Sequence, residues 1–116
     1  MQSVRGSNVL ITGAAMGLGK LFATNAVREG AATVILWDSN ETALKETAAE
    51  LEATGGTIRY ETVDVTSQDR VAEAAASVRA DVGTVHVLFN NAGIVRGNGY
   101  FWESDPKDFL LTMDVN

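Results

Sequence analysis

Val9-Leu10-Ile11-Thr12-Gly13-Ala14-Ala15-Met16-Gly17-Leu18-Gly19 is the stretch on which the reading of the whole chain turns. Val9 to Ile11 form a short apolar run bounded by Asn8 and Thr12-Gly13, the pattern of a buried parallel strand. Glycines then recur as G-x-x-x-G-x-G, and a helical pattern follows with Leu18, Leu21, Phe22 and Ala26 on one face, stopping at Gly30. A strand, a tight glycine turn and a helix N-terminus in that order let backbone approach a pyrophosphate. The free N–H groups and the helix dipole then attract the anion. Gly19 lets the helix pack close to the sheet. A glycine motif alone would be weak; its place between a strand and a helix gives it meaning.

Working outward, strands and helices keep alternating. Thr33-Val34-Ile35-Leu36-Trp37 is a second buried strand ending at Asp38, after which Ser39 or Asn40 can cap a helix with the stripe Leu44, Thr47, Ala48 and Leu51. Gly55-Gly56 terminates that helix, and Ile58 to Val65 reads as a third strand with weaker alternation. Thr66 or Ser67 caps a third helix, with Val71, Ala74, Ala75, Val78 and Val82 facing inward, and Gly83 ends it. Val85-His86-Val87-Leu88-Phe89 is the fourth strand and runs into Asn90-Asn91-Ala92-Gly93. After an irregular stretch, Asp105-Pro106 looks like N-cap and N1 of a fourth helix running to Asn116. The expected fold is α/β: the first half of a Rossmann-type doubly wound parallel sheet, four strands with helices on both faces, with residues 1–116 forming one part of a single nucleotide-binding domain.

Two carboxylates extend the glycine turn into a candidate dinucleotide site. Asp38 closes the second strand 19 residues beyond Gly19, where an acid can accept hydrogen bonds from the adenosine ribose hydroxyls and repel a 2′-phosphate. No basic residue immediately follows it and Met16 brings no charge into the turn, so the pattern favours NAD(H) over NADP(H). A helix-capping role is the alternative for Asp38. Asp64, at the end of the third strand, can accept from the adenine amino group or simply cap the strand end.

Composition removes other classes. The 116 residues are 46% hydrophobic and 21% charged, with one proline and no low-complexity tract, as in a globular domain. Lys and Arg number 9 against 15 Asp and Glu, a net charge of -6, which makes nucleic acid a poor partner. A dinucleotide is also anionic, but helix N–H groups bind it without a basic surface. Cysteine is absent, which excludes disulfides and thiolate chemistry and fits a reducing compartment. Met1 to Ser7 carry no apolar run, so neither a signal peptide nor a membrane span is expected, and a cytoplasmic location is. His86 is the single histidine, has no second ligand near it in sequence, and is expected to be structural rather than metal-binding.

Four elements in order, Thr12-Gly13-x-x-x-Gly17-x-Gly19, Asp38, Asp64-Val65 and Asn90-Asn91-Ala92-Gly93, resemble the short-chain dehydrogenase/reductase family across the whole chain. Leu36-Trp37-Asp38 and Gly17-Leu18-Gly19-Lys20-Leu21-Phe22 are similar to its retinol and 17β-hydroxysteroid dehydrogenase branch. The resemblance implies an NAD-dependent oxidoreductase acting on an alcohol or ketone, in a homo-oligomer. It implies cofactor contacts from Thr12, Gly13, Met16, Gly17, Leu18, Gly19, Asp38, Asp64, Val65, Asn90, Ala92 and Gly93, and Asn116 as a catalytic asparagine of a proton relay.

The family also uses a serine and a Tyr-x-x-x-Lys pair, the tyrosinate as acid or base and the lysine to lower its pKa. Tyr60 is followed four residues on by Asp64 and Tyr100 by Ser104, so neither fits. The sequence is therefore expected to be a fragment of a longer enzyme, inactive alone, whose fourth strand exposes an apolar edge. The competing class is a non-catalytic nucleotide-binding half-domain or sensor completed by another chain. Tyr100-Phe101-Trp102 suits either the entrance for a lipophilic alcohol or packing against a further part of the protein.

Overall fold

The computed structural model describes residues 4–91 and 111–114. Its elements run β1 (Asn8–Thr12), α1 (Gly17–Arg28), β2 (Thr33–Asp38), α2 (Glu41–Ala53), β3 (Ile58–Thr62), α3 (Gln68–Asp81), β4 (Val87–Asn90) and β5 (Leu111–Asp114). All strands pair in parallel in the order β3-β2-β1-β4-β5, with β1 in the middle. The strand order reverses there: the chain adds β2 and β3 on one side of β1, and β4 and β5 on the other.

The period-2 geometry of a strand sends neighbouring side chains to opposite faces. Val9, Ile11, Val34, Leu36, Val87 and Phe89 meet α1 and α2 in one core, joined by Ala23, Ala26, Leu44, Ala48 and Leu51. Leu10, Ile35, Trp37 and Leu88 meet Val71, Ala74, Ala75 and Val78 of α3 in the other. Both faces of β1, β2 and β4 are thereby dry, which explains the unbroken apolar runs of β1 and β2. The rings of Phe22 in α1 and Phe89 in β4 lie 4.1 Å apart, centroid to centroid.

The expected strands, helices and parallel topology form, with four differences of detail. First, α1 buries Gly19, Ala23 and Ala26, while Leu18 and Leu21 are 46% and 55% exposed. Gly19 sets the phase: at about 100° per residue, Ala23 and Ala26 return to its side and Leu18 and Leu21 turn away. Second, β3 ends at Thr62 rather than at Val65, although the next backbone N–H, of Val63, still donates to Asp38 O at 3.0 Å. Third, β4 is shifted to Val87–Asn90. Val85 and His86 precede it, and Asn8 N–H donates to His86 Nδ1 at 2.9 Å, a structural use of the histidine.

Fourth, Leu111–Asp114 is a strand beside β4, not part of a helix, and it covers the edge expected to be open. An unpaired parallel edge is a strong template, and Thr112 and Asp114 are weak helix formers. The expected helix start at Asp105-Pro106 lies outside the described residues. Asn40 and Ser67 prove to be the two helix caps, their side chains accepting from Ala43 and Arg70 N–H. No helix among the described residues is long and apolar enough to cross a membrane.

Candidate functional site

The site lies at the C-terminal ends of β1, β2 and β4, beside the point where strand order reverses, the usual ligand position in an open α/β sheet. The chain leaves β1 through Gly13 and enters α1 through Gly17, at φ of 65° and 60°, a region that side chains other than glycine's rarely adopt. Met16 is the N-cap of α1, in extended conformation, and its side chain makes no capping bond. Met16, Gly17 and Leu18 are exposed, and the first turn of α1 carries no acid. Its first N–H groups therefore face the site uncapped, an anion-binding terminus. Gly19 is buried against Gly13, and a Cβ there would collide with the Gly13 carbonyl.

The turn itself is fixed by bonds from three elements. Ala14 N–H donates to Trp37 O at 3.2 Å and Ala15 N–H to Asp38 Oδ2 at 2.9 Å, tying it to the end of β2. Thr47 Oγ1, from α2, donates to Ala15 O at 3.2 Å. Asn91 Nδ2, just past β4, donates to Gly13 O at 3.2 Å. Beneath the turn, the buried Thr12 hydroxyl donates to Asn90 Oδ1 at 3.0 Å, joining β1 to β4. Ala14, Ala15 and Thr47 were not among the cofactor residues expected from sequence, and the bond from Asn91 to the glycine turn was not foreseen. Thr47 was readable only as a polar residue within an apolar stripe, which a buried position obliges to find a partner.

Asp38 sits half-buried at the tip of β2. Its Oδ1 accepts from Asn40 N–H at 2.9 Å while Oδ2 accepts from Ala15. The carboxylate thus bridges the glycine turn and the residue that caps α2, while the cap itself is Asn40. A carboxylate has about four acceptor positions, so two remain for hydroxyl donors. Asp64 lies two residues past β3 and is exposed, not at the strand end. Its Oδ1 accepts from the Thr66 hydroxyl at 2.6 Å and from Thr66 N–H at 2.9 Å, and these two bonds hold its carboxyl below the ordinary value. Val65 is buried in the α3-side core.

Of the expected residues, the structure brings Thr12, Gly13, Met16, Gly17, Leu18, Gly19, Asp38 and Asn90 to one end of the sheet. It places Asp64-Val65 in the turn before α3. Ala92, Gly93 and Asn116 lie outside the described residues, as do Tyr100-Phe101-Trp102. A cleft of about 250 Å³ lies elsewhere, between β3 and α3. Two of its lining side chains, Arg59 and Asp81, pair with each other at 2.8 Å, so the glycine turn rather than this cleft is the site the chemistry points to. The uncapped α1 terminus, the close Gly13–Gly19 approach and the Asp38 acceptors fit a dinucleotide, one group for the pyrophosphate and one for the ribose.

Comparison with known proteins agrees with this geometry. The family model of the short chain dehydrogenases matches residues 7–116. Estradiol 17-beta-dehydrogenase 11 of Pongo abelii is 38% identical over 115 residues, covering 99% of this chain and 38% of that protein. Epidermal retinol dehydrogenase 2 of Mus musculus is 40% identical over 118 residues, covering 99% of this chain and 37% of the relative. The chain thus spans under two-fifths of the length of these curated relatives. Among solved structures, a short chain dehydrogenase/reductase from Burkholderia phymatum in complex with NAD has a TM-score of 0.75 at 35% identity, over 80% of this chain and 33% of that one. An NAD+-bound xylitol dehydrogenase has a TM-score of 0.74 at 35% identity, over 79% of this chain and 35% of its own. With the glycine turn, Asp38 and the sheet order in place, the chain belongs to the short-chain dehydrogenase family.

Proposed function

We propose that this chain is the NAD(H)-binding part of an oxidoreductase that interconverts a secondary or lipophilic alcohol and its carbonyl. One observation carries the cofactor reading: the Asp38 carboxylate at the tip of β2, oriented by Ala15 N–H and Asn40 N–H beside the turn that leads into α1. The two oxygens keep acceptor positions for the adenosine ribose hydroxyls, and their charge opposes a 2′-phosphate. The N–H groups around Met16, Gly17 and Leu18 face the pyrophosphate, with Gly13 and Gly19 permitting its approach and Thr12 and Asn90 bracing the turn from below. Asp64-Val65 would border the adenine, and Asn90 to Gly93 the adenosine ribose. When bound, the nicotinamide supplies or accepts a hydride at the carbon being reduced or oxidised.

The 116 residues contain no Tyr-x-x-x-Lys pair, so we assign them binding and orientation without the acid–base step. Asn116 is assigned to the proton relay on family resemblance alone. A homo-oligomer and a cytoplasmic site of action complete the reading. Titration of the full chain with NAD+ and NADP+, wild type against Asp38→Ala, tests it. NAD+ is expected to bind the wild type more tightly, and the substitution to weaken NAD+ about tenfold or more, the worth of a charge-assisted hydrogen bond. NADP+ would be weakened less. An unchanged preference between the two cofactors in Asp38→Ala would remove Asp38 from the site.

A further inference from the structure

Ala15 is gripped on both sides of its residue by elements that follow it in the chain. Its N–H donates to the Asp38 carboxylate and its carbonyl accepts from the Thr47 hydroxyl. Thr47 lies on the buried face of α2, 1% exposed, and its neighbours on that face, Leu44, Ala48 and Leu51, are all apolar. A threonine inside a helix ordinarily turns its hydroxyl back to the carbonyl four residues earlier. Thr24 in α1 does so, donating to Lys20 O at 2.9 Å. Thr47 instead reaches across 32 residues of sequence to the glycine turn. Its hydroxyl is thus turned away from its own helix and toward the segment that joins Gly13 to Gly17.

We infer that Thr47 is a positioning residue for the dinucleotide: its hydroxyl holds the Ala15 carbonyl so that the following N–H groups, at the start of α1, face the pyrophosphate. The inference rests on the cofactor reading above and adds a residue to it. The peptide that follows Ala15 contains both the carbonyl that Thr47 holds and the N–H of Met16. Fixing the carbonyl fixes the plane of that peptide and hence the direction of the N–H, because the peptide unit is planar. Asp38 fixes the preceding peptide through Ala15 N–H. The ribose acceptor and the phosphate-facing turn are therefore held as one unit, with α2 as its third support. Without the hydroxyl, the Ala15 carbonyl is left facing an apolar helix side, and the turn has reason to rotate it elsewhere.

Thr47→Val keeps the shape and removes the hydroxyl; Thr47→Ser keeps the hydroxyl and removes the methyl. Dissociation constants for NAD+ would be measured on the full chain by calorimetry, at a temperature where each variant is folded, with the melting temperature recorded alongside. The expected result is a weakening of about tenfold in Thr47→Val, the scale of one lost hydrogen bond, and binding within about twofold of wild type in Thr47→Ser. If Thr47→Val does not fold, Thr47→Ala compared with Thr47→Ser makes the same measurement. A residue that serves only the core would lower the melting temperature and leave the affinity of the folded protein unchanged, and that result overturns the role of Thr47 alone. Wild-type protein that binds no dinucleotide overturns the cofactor reading and this role with it.

Discussion

Gly19 faces the carbonyl group of Gly13 so closely that a Cβ at Gly19 would collide with the Gly13 oxygen and stand 2.8 Å from its carbonyl carbon. The obstacle is backbone, which cannot swing aside as a side chain can. Asn91 Nδ2, which donates to that same oxygen, would stand 3.0 Å from the new atom. Gly19→Ala is therefore expected to push α1 away from β1. The cost should be about 1–3 kcal/mol, the range for overpacking a tight core, together with loss of NAD+ binding. A urea unfolding curve and a cofactor titration would check both, and an unshifted midpoint would contradict the packing described.

Thr12 and Asn90 form a buried polar pair between adjacent strands, 0% and 5% exposed. Thr12→Val keeps the branched shape and deletes the donor to Asn90 Oδ1. The expected loss is about 0.5–1.5 kcal/mol, the net worth of one intramolecular hydrogen bond. Denaturant unfolding of the variant measures it. A loss well below this range would mean that Asn90 finds another donor.

Asp64 gives the pH dependence. Its carboxyl is held below 3.8 by the Thr66 hydroxyl and then by the Thr66 N–H. A depressed folded value means that the group adds stability above its unfolded value, and that this stability is lost as pH falls through the lowered folded value. Thr66→Val removes the larger cause, so the Asp64 titration midpoint should rise toward its ordinary value in a carboxyl NMR titration. The stability gap between wild type and Thr66→Val should be fully present above 3.8 and should narrow as pH falls below it. A midpoint identical in the two proteins would show that the hydroxyl does not bind the carboxylate in solution.

Lys20 and Glu50 join α1 to α2 at 2.8 Å, but with side chains 40% and 57% exposed. Water screens such a pair, whose worth is about 0–1 kcal/mol. Lys20→Met should leave the unfolding midpoint nearly unchanged and NAD+ affinity within about twofold, since pairing already engages the ammonium. A large loss of affinity would place Lys20 on the pyrophosphate instead.

The parallel sheet and its helices were legible in the sequence because burial on both faces writes itself as apolar runs. Val34 to Trp37 could hardly be anything else once Gly13 to Gly19 fixed the first turn. The phase of α1 was not legible: Leu18 and Leu21 look like core residues until Gly19 is known to make the closest approach, and a glycine has no hydropathy to announce it. Nor was the strand at Leu111–Asp114, since four residues beside a proline-marked helix start carry too little pattern to outvote it, and only the neighbouring edge of β4 decides. The site divided in the same way. The positive φ of Gly13 and Gly17, the close approach at Gly19 and the acid at Asp38 follow from residue type. Ala15 and Asn91 act through backbone or through one amide directed at a carbonyl, which spacing does not reveal, and Thr47 was counted with its apolar neighbours because its methyl belongs with them.

The bond from Asn91 to Gly13 spans 78 residues. A chain emerging from the ribosome can form β1, α1, β2 and α2 early, yet its glycine turn lacks this amide until β4 has been made and docked. The last support of the turn is thus a long-range contact, closed only after the local pairings around it, and anything that keeps the fourth strand from docking leaves the Gly13 carbonyl without this amide.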